Sequence, residues 1–392
     1  MPASVTAVVA PEPSPWSWSP AGACRLETPV CWLRLDGPDT RRFLHGQTSQ
    51  AVERAAPGSW LSTCCIGPTA RMKGLAELLL DADGAWLVIT AGDGEAVRQA
   101  LDRVLFPADA VSLGPLRPGL LVQPLGPTDA TTTHNTATHT AATHNAATST
   151  AATTRAATAG AATASAAAAI PTAAIPTADS ATARTADPAD GASLAAGAPA
   201  GRCWQPGPEP ESFWLGECLL LLQPAASLPP ALDQRRPITA EEAERWRIQR
   251  GQPRAPQELN DDTNPFELGL AARVSLNNGC YVGHETLARL ATYDGVKQQV
   301  RRWFLSASAA ASLSADQLIS GAELVQANGD RAGRISSALR LDDGGWIGLA
   351  LVRRACLDAA WLELDAAPVR LWLSTPPELV APPQGGGGKG TA

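Results

Sequence analysis

One cysteine of the chain stands in a context that can make a thiol reactive. Residues 278–285 read Asn-Gly-Cys-Tyr-Val-Gly-His-Glu, and the pattern predicts a helix that begins near His284 or Glu285. A thiol just ahead of a helix N-terminus faces the positive end of the helix dipole, which favours the thiolate. A cysteine–histidine pair is a further way to activate sulfur. The segment therefore predicts Cys280 and His284 as catalytic candidates.

Each of these candidates has a plainer interpretation. Cys280 can be a small buried apolar residue between two turn glycines, and His284 an ordinary polar residue. The adjacent pair Cys64-Cys65 invites a redox interpretation, but it falls in a predicted strand, where neighbouring side chains point to opposite faces. The eight cysteines show neither a C-x-x-C pair nor the spacing of a Cys/His zinc site. Structural zinc and a disulfide framework are therefore disfavoured.

The elements around this segment predict a mixed α and β fold. Upstream, apolar alternation and glycine-bearing turns predict strands at 30–35, 60–66, 75–80, 86–89 and 111–113, with helices at 37–44 and 95–104. Such an order is typical of an α+β sandwich rather than a parallel Rossmann sheet. Thr239 and Glu242 have capping-box spacing, and Gly251 ends the helix that they begin.

The second half of the chain changes character. Between residues 300 and 373, short apolar strands alternate with tight turns such as Asn328-Gly329-Asp330. Regular short strands of this kind predict a small antiparallel β-barrel. Residues 127–200 are rich in Ala and Thr and lack large apolar side chains, so we expect a disordered insert. The predicted organisation is a flexible tail at 1–20, one domain from 21–126 with 201–296, that insert, a barrel at 297–375, and a tail at 376–392.

Bulk properties weigh against several classes of partner, although a local basic patch could still bind RNA. The formal net charge is −7 and the sequence pI is about 5.3, so no global field draws the protein to nucleic acid or to anionic membrane. No stretch approaches the roughly 18 uninterrupted apolar residues of a membrane helix. The first twenty residues lack the basic start and apolar run of a secretory signal. We therefore expect a cytoplasmic protein without membrane partners.

The cysteine segment resembles the signature K-G-C-Y-x-G-Q-E of the YgfZ family. Other blocks resemble that family in the same order along the chain: residues 35–48 its G-x-D-x-x-x-F-L-x-G-Q-x-T block, Lys73-Gly74 its K-G turn, residues 247–270 its R-I-x-x-G-x-P and P-x-E-x-G-L block, and residues 329–337 a late glycine-bearing segment. The resemblance covers nearly the whole chain except its two ends and the Ala/Thr-rich insert.

This resemblance implies a fold like that of the glycine-cleavage T-protein. Its domains surround a central channel that binds tetrahydrofolate, and a small C-terminal antiparallel barrel completes it. Members of the family support assembly or repair of iron–sulfur enzymes, including one that modifies tRNA. The partners implied are folate and iron–sulfur client proteins or assembly factors. On this resemblance Cys280 is the working thiol, and the channel is lined by Asp36, Gln47, Lys73 and Glu267.

The chain also departs from the family pattern. Asn278 replaces the lysine before G-C-Y, and His284 replaces the glutamine. T-protein enzymes have a glutamate where Gln249 aligns, and that carboxylate is implied to contact the pterin. We therefore expect an accessory factor rather than a true aminomethyltransferase.

Two alternatives stay open at this stage. One is a folate-dependent aminomethyl or one-carbon transferase, which shares the fold. The other is an RNA-associated binding module, in which Lys297, Arg301 and Arg302 contact phosphate while Trp303 stacks on a base.

Overall fold

The computed structural model of the protein describes residues 14–126, 202–277 and 279–383. The predicted insert at 127–200 and Asn278 lie outside these ranges. The strands are β1 Cys24–Asp36, β2 Ser59–Ile66, β3 Met72–Leu80, β4 Gly84–Gly92, β5 Ser112–Leu113, β6 Arg117–Leu125, β7 Arg202–Cys203, β8 Gln205–Pro206, β9 Ser212–Leu215, β10 Cys218–Leu221, β11 Arg236–Pro237, β12 Gln298–Leu305, β13 Glu323–Val325, β14 Arg331–Arg340, β15 Trp346–Arg353, β16 Trp361–Leu364 and β17 Ala367–Ser374. The α-helices are α1 Thr40–Gln47, α2 Gly94–Val104, α3 Pro230–Asp233, α4 Ala240–Arg250, α5 His284–Thr292 and α6 Ala307–Ala310.

A large sheet built on β1 organises the first part of the described chain. Its order is β7-β2-β3-β4-β1-β6-β10-β9-β8, and β5 and β11 also pair with β1. Because side chains alternate along a strand, β1 buries Leu33 and Leu35 on one face and Trp32 on the other. The first face packs against α1 and α2. The sheet therefore buries apolar side chains on both faces, and its mostly antiparallel strands with helices packed on one face confirm the mixed α+β class.

Helix α4 forms as its sequence predicts. The Thr239 hydroxyl accepts the Glu242 N–H at 3.2 Å, and the Glu242 carboxylate accepts the Thr239 N–H at 2.8 Å. These two bonds satisfy backbone donors that the first turn of a helix leaves free. Gly251 ends the helix in the left-handed region, at φ 74°. The capping-box prediction is confirmed.

The closed barrel of the described chain has the order β12-β15-β14-β13-β16-β17, with β17 pairing back onto β12. Trp303 and Leu305 of β12 point inward and are fully buried. Val300 and Phe304, on the outer side of the same strand, pack in a central cluster that also holds residues of β2, β3, α4 and α5. The predicted antiparallel barrel is confirmed.

Both ends of the described chain are packed, where the sequence suggests tails. Pro15–Ser17 form a short 3-10 helix, and Trp16 packs against the central cluster. At the other end, Leu379 packs on the same cluster, and the Val380 N–H donates to the Gly269 carbonyl at 2.8 Å. The reason is apolar burial, since large side chains gain from leaving water even in short segments. The division of the chain into domains stays a prediction.

None of the helices within the three described ranges is both long enough and apolar enough to cross a bilayer.

Candidate functional site

The Cys280 segment is held between two other parts of the chain. On one side the Val282 N–H donates to the carbonyl of Gly46, near the end of α1, at 2.9 Å. On the other side Gly283 lies against the turn between β2 and β3, where a Cβ on Gly283 would stand 2.8 Å from the Gly67 oxygen. Gly283 also has φ +81°, which L side chains rarely adopt. Glycine is therefore required at this position for both reasons, and it caps the start of α5.

Tyr281 anchors the segment and turns Cys280 outward. The Tyr281 ring is 5% exposed and packs in the central cluster with Leu287 of α5, whereas Cys280 is exposed. Burial, with the Cys64 thiol nearby, raises the pKa of the Tyr281 phenol, so the ring is held in its neutral form. The interpretation of Cys280 as a buried apolar residue is therefore wrong.

The His284 side chain contacts the loop before α5 rather than the Cys280 thiol. Its Nε2 lies 3.1 Å from the Leu276 carbonyl, and its ring meets the Tyr281 ring edge-to-face at 4.9 Å. Because a carbonyl only accepts, Nε2 carries the proton in this contact. Among the hydrogen bonds of the described residues, the His284 ring is joined to Leu276 and not to Cys280. The contact pins the loop that precedes α5.

A second histidine, which the sequence reasoning missed, lies beside the cysteine segment. His45, in the last turn of α1, has its Nε2 3.0 Å from the position that a Cβ on Gly279 would take. Its Nδ1 is buried and has no hydrogen-bond partner among the described residues. In the motif F-L-x-G-Q, His45 occupies the variable position x. The sequence therefore contains no indication of a role for His45 beyond its place inside this block. The imidazole that lies against the peptide before Cys280 is thus that of His45.

Gln47, a predicted folate contact, ends α1 next to the Cys280 segment. The Gly46 carbonyl that holds Val282 immediately precedes it. Gln47 is half-buried. The structure therefore brings Gln47 into the neighbourhood of Cys280 and His284.

Lys73 contacts the stretch of residues 261–267, and Glu267 is the last residue of that stretch. The Lys73 ammonium forms an ion pair with Asp261 at 2.5 Å, in an exposed position. Glu267 is 6% exposed, and its carboxylate accepts the Asn264 N–H at 3.1 Å. Burial raises the pKa of Glu267, while that hydrogen bond and the nearby Arg71 favour its charged form. Lys73 and Glu267 are therefore both engaged by protein partners.

The β2–β3 turn joins this stretch to the Cys280 segment. The Gly67 carbonyl faces Gly283, and a Cβ on Gly67 would lie 3.9 Å from Cε of Lys73. Five of the six predicted site residues therefore lie around one turn and the segments that touch it.

Asp36 is the exception, since the sheet places it elsewhere. It pairs with Gly84 at one end of β4, whereas Gly74, the residue after Lys73, pairs with Gly92 at the other end. The two ends are about 26 Å apart at roughly 3.3 Å per strand residue. Asp36 is exposed and forms an ion pair with Arg34 at 2.7 Å. The structure does not bring Asp36 to the other candidates.

Gln249, where T-protein enzymes have a glutamate, lies near the end of α4. Its Nε2 donates to the carbonyls of Trp16 at 2.7 Å and Trp18 at 2.8 Å. Its Oε1 is buried and has no donor among the described residues. An orphaned buried acceptor is costly, which marks a position where a ligand with a donor would fit.

Most of the basic stretch proposed for RNA is buried, although Lys297 is exposed. Trp303 is fully buried inside the barrel, and Arg301 is 8% exposed. The Arg302 guanidinium donates to the Gln249 carbonyl at 2.7 Å and to the Ser374 hydroxyl at 3.2 Å. A base cannot stack on a buried ring, so the predicted stacking on Trp303 is wrong.

The described part of the chain contains no group of three or more His, Cys, Asp or Glu side chains arranged to hold a metal ion.

Comparison with known proteins gives two partial sequence matches, and no protein-family model matches the chain. A chloroplastic protein of Arabidopsis thaliana that carries the name of a transferase is 50% identical over 64 residues, 16% of this chain. The tRNA-modifying protein YgfZ of Vibrio atlanticus is 31% identical over 123 residues, 31% of this chain. The alignments span 15% and 38% of the lengths of these two relatives, so they share only segments with it.

The solved structures add a likeness that covers nearly the whole chain. The glycine cleavage system aminomethyltransferase T of Bartonella henselae aligns with a TM-score of 0.58 at 14% identity, covering 94% of this chain and 90% of that one. At this identity the likeness shows the fold alone. Together with the YgfZ match, it supports the assignment of the chain to the superfamily of YgfZ and the glycine-cleavage T-protein.

Proposed function

We propose that the protein binds tetrahydrofolate or a derivative and supports assembly or repair of iron–sulfur enzymes through Cys280. The observation that carries this proposal is the setting of Cys280. Its thiol is exposed, while Tyr281 and Gly283 on the same short segment are locked into the protein. A thiol on a fixed segment meets a partner without the ordering cost that a flexible loop carries.

The chemistry required of Cys280 is modest. A cysteine that loses its proton as the sulfur coordinates iron is a soft ligand of the kind that iron–sulfur centres use. The His45 imidazole lies beside the same segment, against Gly279. Cytoplasmic location, iron–sulfur clients and a tRNA-modifying client are parts of the proposal.

The residues near Gln249 fit a folate. A pterin presents ring N–H and amino donors, and the buried Gln249 Oε1 lacks a donor. When bound, the folate would supply its one-carbon or redox chemistry. The protein's own contribution would be to hold the ring at the Gln249 amide.

The alternative function is a folate-dependent aminomethyl or one-carbon transferase. The fold shared with an aminomethyltransferase favours it. Against it stands Gln249, because the resemblance implies a carboxylate in contact with the pterin at this position, and an amide lacks the negative charge of a carboxylate. Aminomethyl transfer to free tetrahydrofolate by the purified protein would establish this alternative and overturn the accessory role.

The central experiment compares two exposed cysteines, Cys280 and Cys203. Cys280→Ala and Cys203→Ala are expressed in cells that lack the protein, and the activity of an iron–sulfur enzyme that modifies tRNA is measured. We expect loss of client activity only in Cys280→Ala. Calorimetric titration with 5-formyltetrahydrofolate should give equal affinities for both variants and the wild type. Full client activity in Cys280→Ala would exclude the thiol role, and absence of titratable binding would exclude the folate role.

A further inference from the structure

Residues 14–18, here called the strap, lie across α4 and the barrel. They are not part of the helix or of any barrel strand. Two hydrogen bonds, from Nε2 of Gln249 to the carbonyls of Trp16 and Trp18, fasten the strap. Among the described residues, the remaining hydrogen bonds of the strap are internal to it. The strap can therefore leave without breaking a sheet or a helix, which places it at the low-stability end of the structure.

The tryptophans of the strap lie over two arginines. Trp16 covers Arg302 at 4.4 Å, and Trp18 covers Arg245 at 4.7 Å. Neither arginine forms an ion pair with a carboxylate of the described chain. Burial lowers the pKa of Arg245, although the nearby carboxylates of Asp342, Asp343 and Glu241 favour its charged form. Burial also lowers the pKa of Arg302 to about 10.

The environment of Arg245 and Arg302 favours a particular kind of ligand. Both guanidinium groups are desolvated, neither is ion-paired at contact distance with a carboxylate of the described chain, and their flat faces are covered by aromatic rings. An aromatic anion would supply both the ring and a negative charge at contact distance.

Two buried polar atoms beneath the strap remain without partners in the described chain. They are Oε1 of Gln249, which needs a donor, and Nε of Arg245, which needs an acceptor. The strap presents only carbonyl oxygens to Gln249. These accept from the Nε2 amino group of the amide but leave its Oε1 without a donor. A ligand edge with a donor beside an acceptor would satisfy both halves.

Space for a ligand already exists beside the strap. A cavity of about 330 Å³ is walled by Pro15 and Trp18 of the strap, by Arg245, and by Phe304 and Asp343 of the barrel side. This volume lies at the lower end of the range for small-molecule sites, roughly 300–1,000 Å³. Departure of the strap would enlarge the cavity and open it to Gln249.

We propose that the strap is a built-in competitor that holds this site closed, and that its tryptophans stand where a planar aromatic anion with an amide-like edge binds. The inference rests on the proposed folate binding and adds its regulation, since folates combine such a ring with carboxylates. Ligand and strap exclude each other, so the apparent affinity is reduced by the fraction of molecules in which the strap is closed.

The test uses the full chain and a matched control. The double variant Trp16→Ser, Trp18→Ser loses the two strap rings. Trp361→Ser loses a comparable tryptophan, which covers Arg370 at 4.2 Å in the barrel. Calorimetric titration with 5-formyltetrahydrofolate should show about tenfold tighter binding in the double variant and no change in Trp361→Ser.

The other outcomes separate the two proposals. Equal or weaker binding by the double variant, with normal binding by the wild type, would overturn the competing strap and leave folate binding in place. Weaker binding would further show that the tryptophans form part of the ligand site. Absence of binding in all three proteins would overturn the proposed folate binding and, with it, the strap as its regulator.

A second measurement needs no variant. Hydrogen exchange of the peptide that contains residues 14–18 is followed in the wild type with and without 5-formyltetrahydrofolate. Exchange should become faster when ligand displaces the strap. Slower or unchanged exchange in the ligand-bound protein would contradict the proposal.

Discussion

The Cys64-Cys65 pair in β2 and Cys280 before α5 present the same chemical group in two backbone settings. In the strand, Cys64 faces the central cluster and Cys65 faces the cluster under α1 and α2, and both are buried. Burial raises the pKa of each of these thiols to about 12. In the loop, Tyr281 takes the buried position and Cys280 is exposed.

The difference shows what selects a reactive thiol in this protein. A strand inside a sheet that is covered on both faces leaves neither side of the chain in water. An irregular segment fixed by one aromatic anchor and one glycine contact buries a single side and leaves the other free. Backbone setting, more than residue type, therefore decides which sulfur can meet a partner.

The largest expected effect is the contrast in alkylation rate. Iodoacetamide should label Cys280 on the order of a hundredfold or more faster than Cys64 and Cys65, because the buried pair reacts only after an opening of the sheet. Mass spectrometry of the digested protein assigns the label to each cysteine and separates Cys280 from Cys203, which is also exposed. Comparable rates at Cys64 and Cys280 would erase the contrast between the two settings.

Replacing Tyr281, which anchors the loop, should have the next largest effect, on the stability of the protein. Tyr281→Ala removes a buried ring and should lower the free energy of unfolding by about 3–5 kcal/mol. Tyr281→Phe is the matched control, because it removes only a hydroxyl that has no hydrogen-bond partner among the described residues. We expect it to be neutral or slightly stabilising. A large loss in Tyr281→Phe, measured by urea denaturation, would mean that the hydroxyl has a partner.

The glycine contact should have a smaller effect. Gly283→Ala forces a Cβ against the Gly67 oxygen at φ +81° and should cost about 1–3 kcal/mol. Gly329→Ala is the control, since Gly329 has φ +85° but open space around it. The stability difference between the two variants isolates the close approach. If the two losses were equal, the contact with the β2–β3 turn would contribute nothing beyond backbone strain.

The smallest effect should come from His284. His284→Gln, which restores the residue of the YgfZ signature, retains a donor for the Leu276 carbonyl and should change stability by less than about 0.5 kcal/mol. His284→Ala loses that hydrogen bond and should cost about 1 kcal/mol. Neither change should alter the pH dependence of Cys280 alkylation, because the ring bonds to Leu276. An altered alkylation profile in His284→Gln would place the imidazole in contact with the thiol after all.

Regular elements with strong local signals could be predicted from the sequence. The capping box of α4, the strand that holds Cys64-Cys65 and the turns of the barrel depend on residues close together in the chain, so local patterns report them. Strand β6 was not predicted. It contains Pro118 and Pro124, which weaken a strand assignment, yet it pairs with β1 on one side and β10 on the other.

The tryptophans show a limit of another kind. Seven of the chain's twelve tryptophans lie under an arginine in the described structure, among them Trp16 and Trp18 of the strap. In pairs such as Trp16 with Arg302, the partners are hundreds of residues apart. No local pattern can report such a pair, and so the packing of the N-terminal segment was missed.

By itself, the sequence determined the α+β class, the barrel and the helix that follows Cys280, because each depends on residue order within short windows. It also determined the family resemblance, because the motif blocks stand in the same order along the chain. The tertiary structure alone decided that Cys280 is exposed while Tyr281 is buried, that His45 rather than His284 lies against the peptide before the thiol, and that Asp36 stands apart. It also decided that the Gln249 amide donates to the backbone carbonyls of Trp16 and Trp18. These features depend on contacts between segments that are distant in the sequence. Such contacts are determined by the burial of apolar surface over the whole fold.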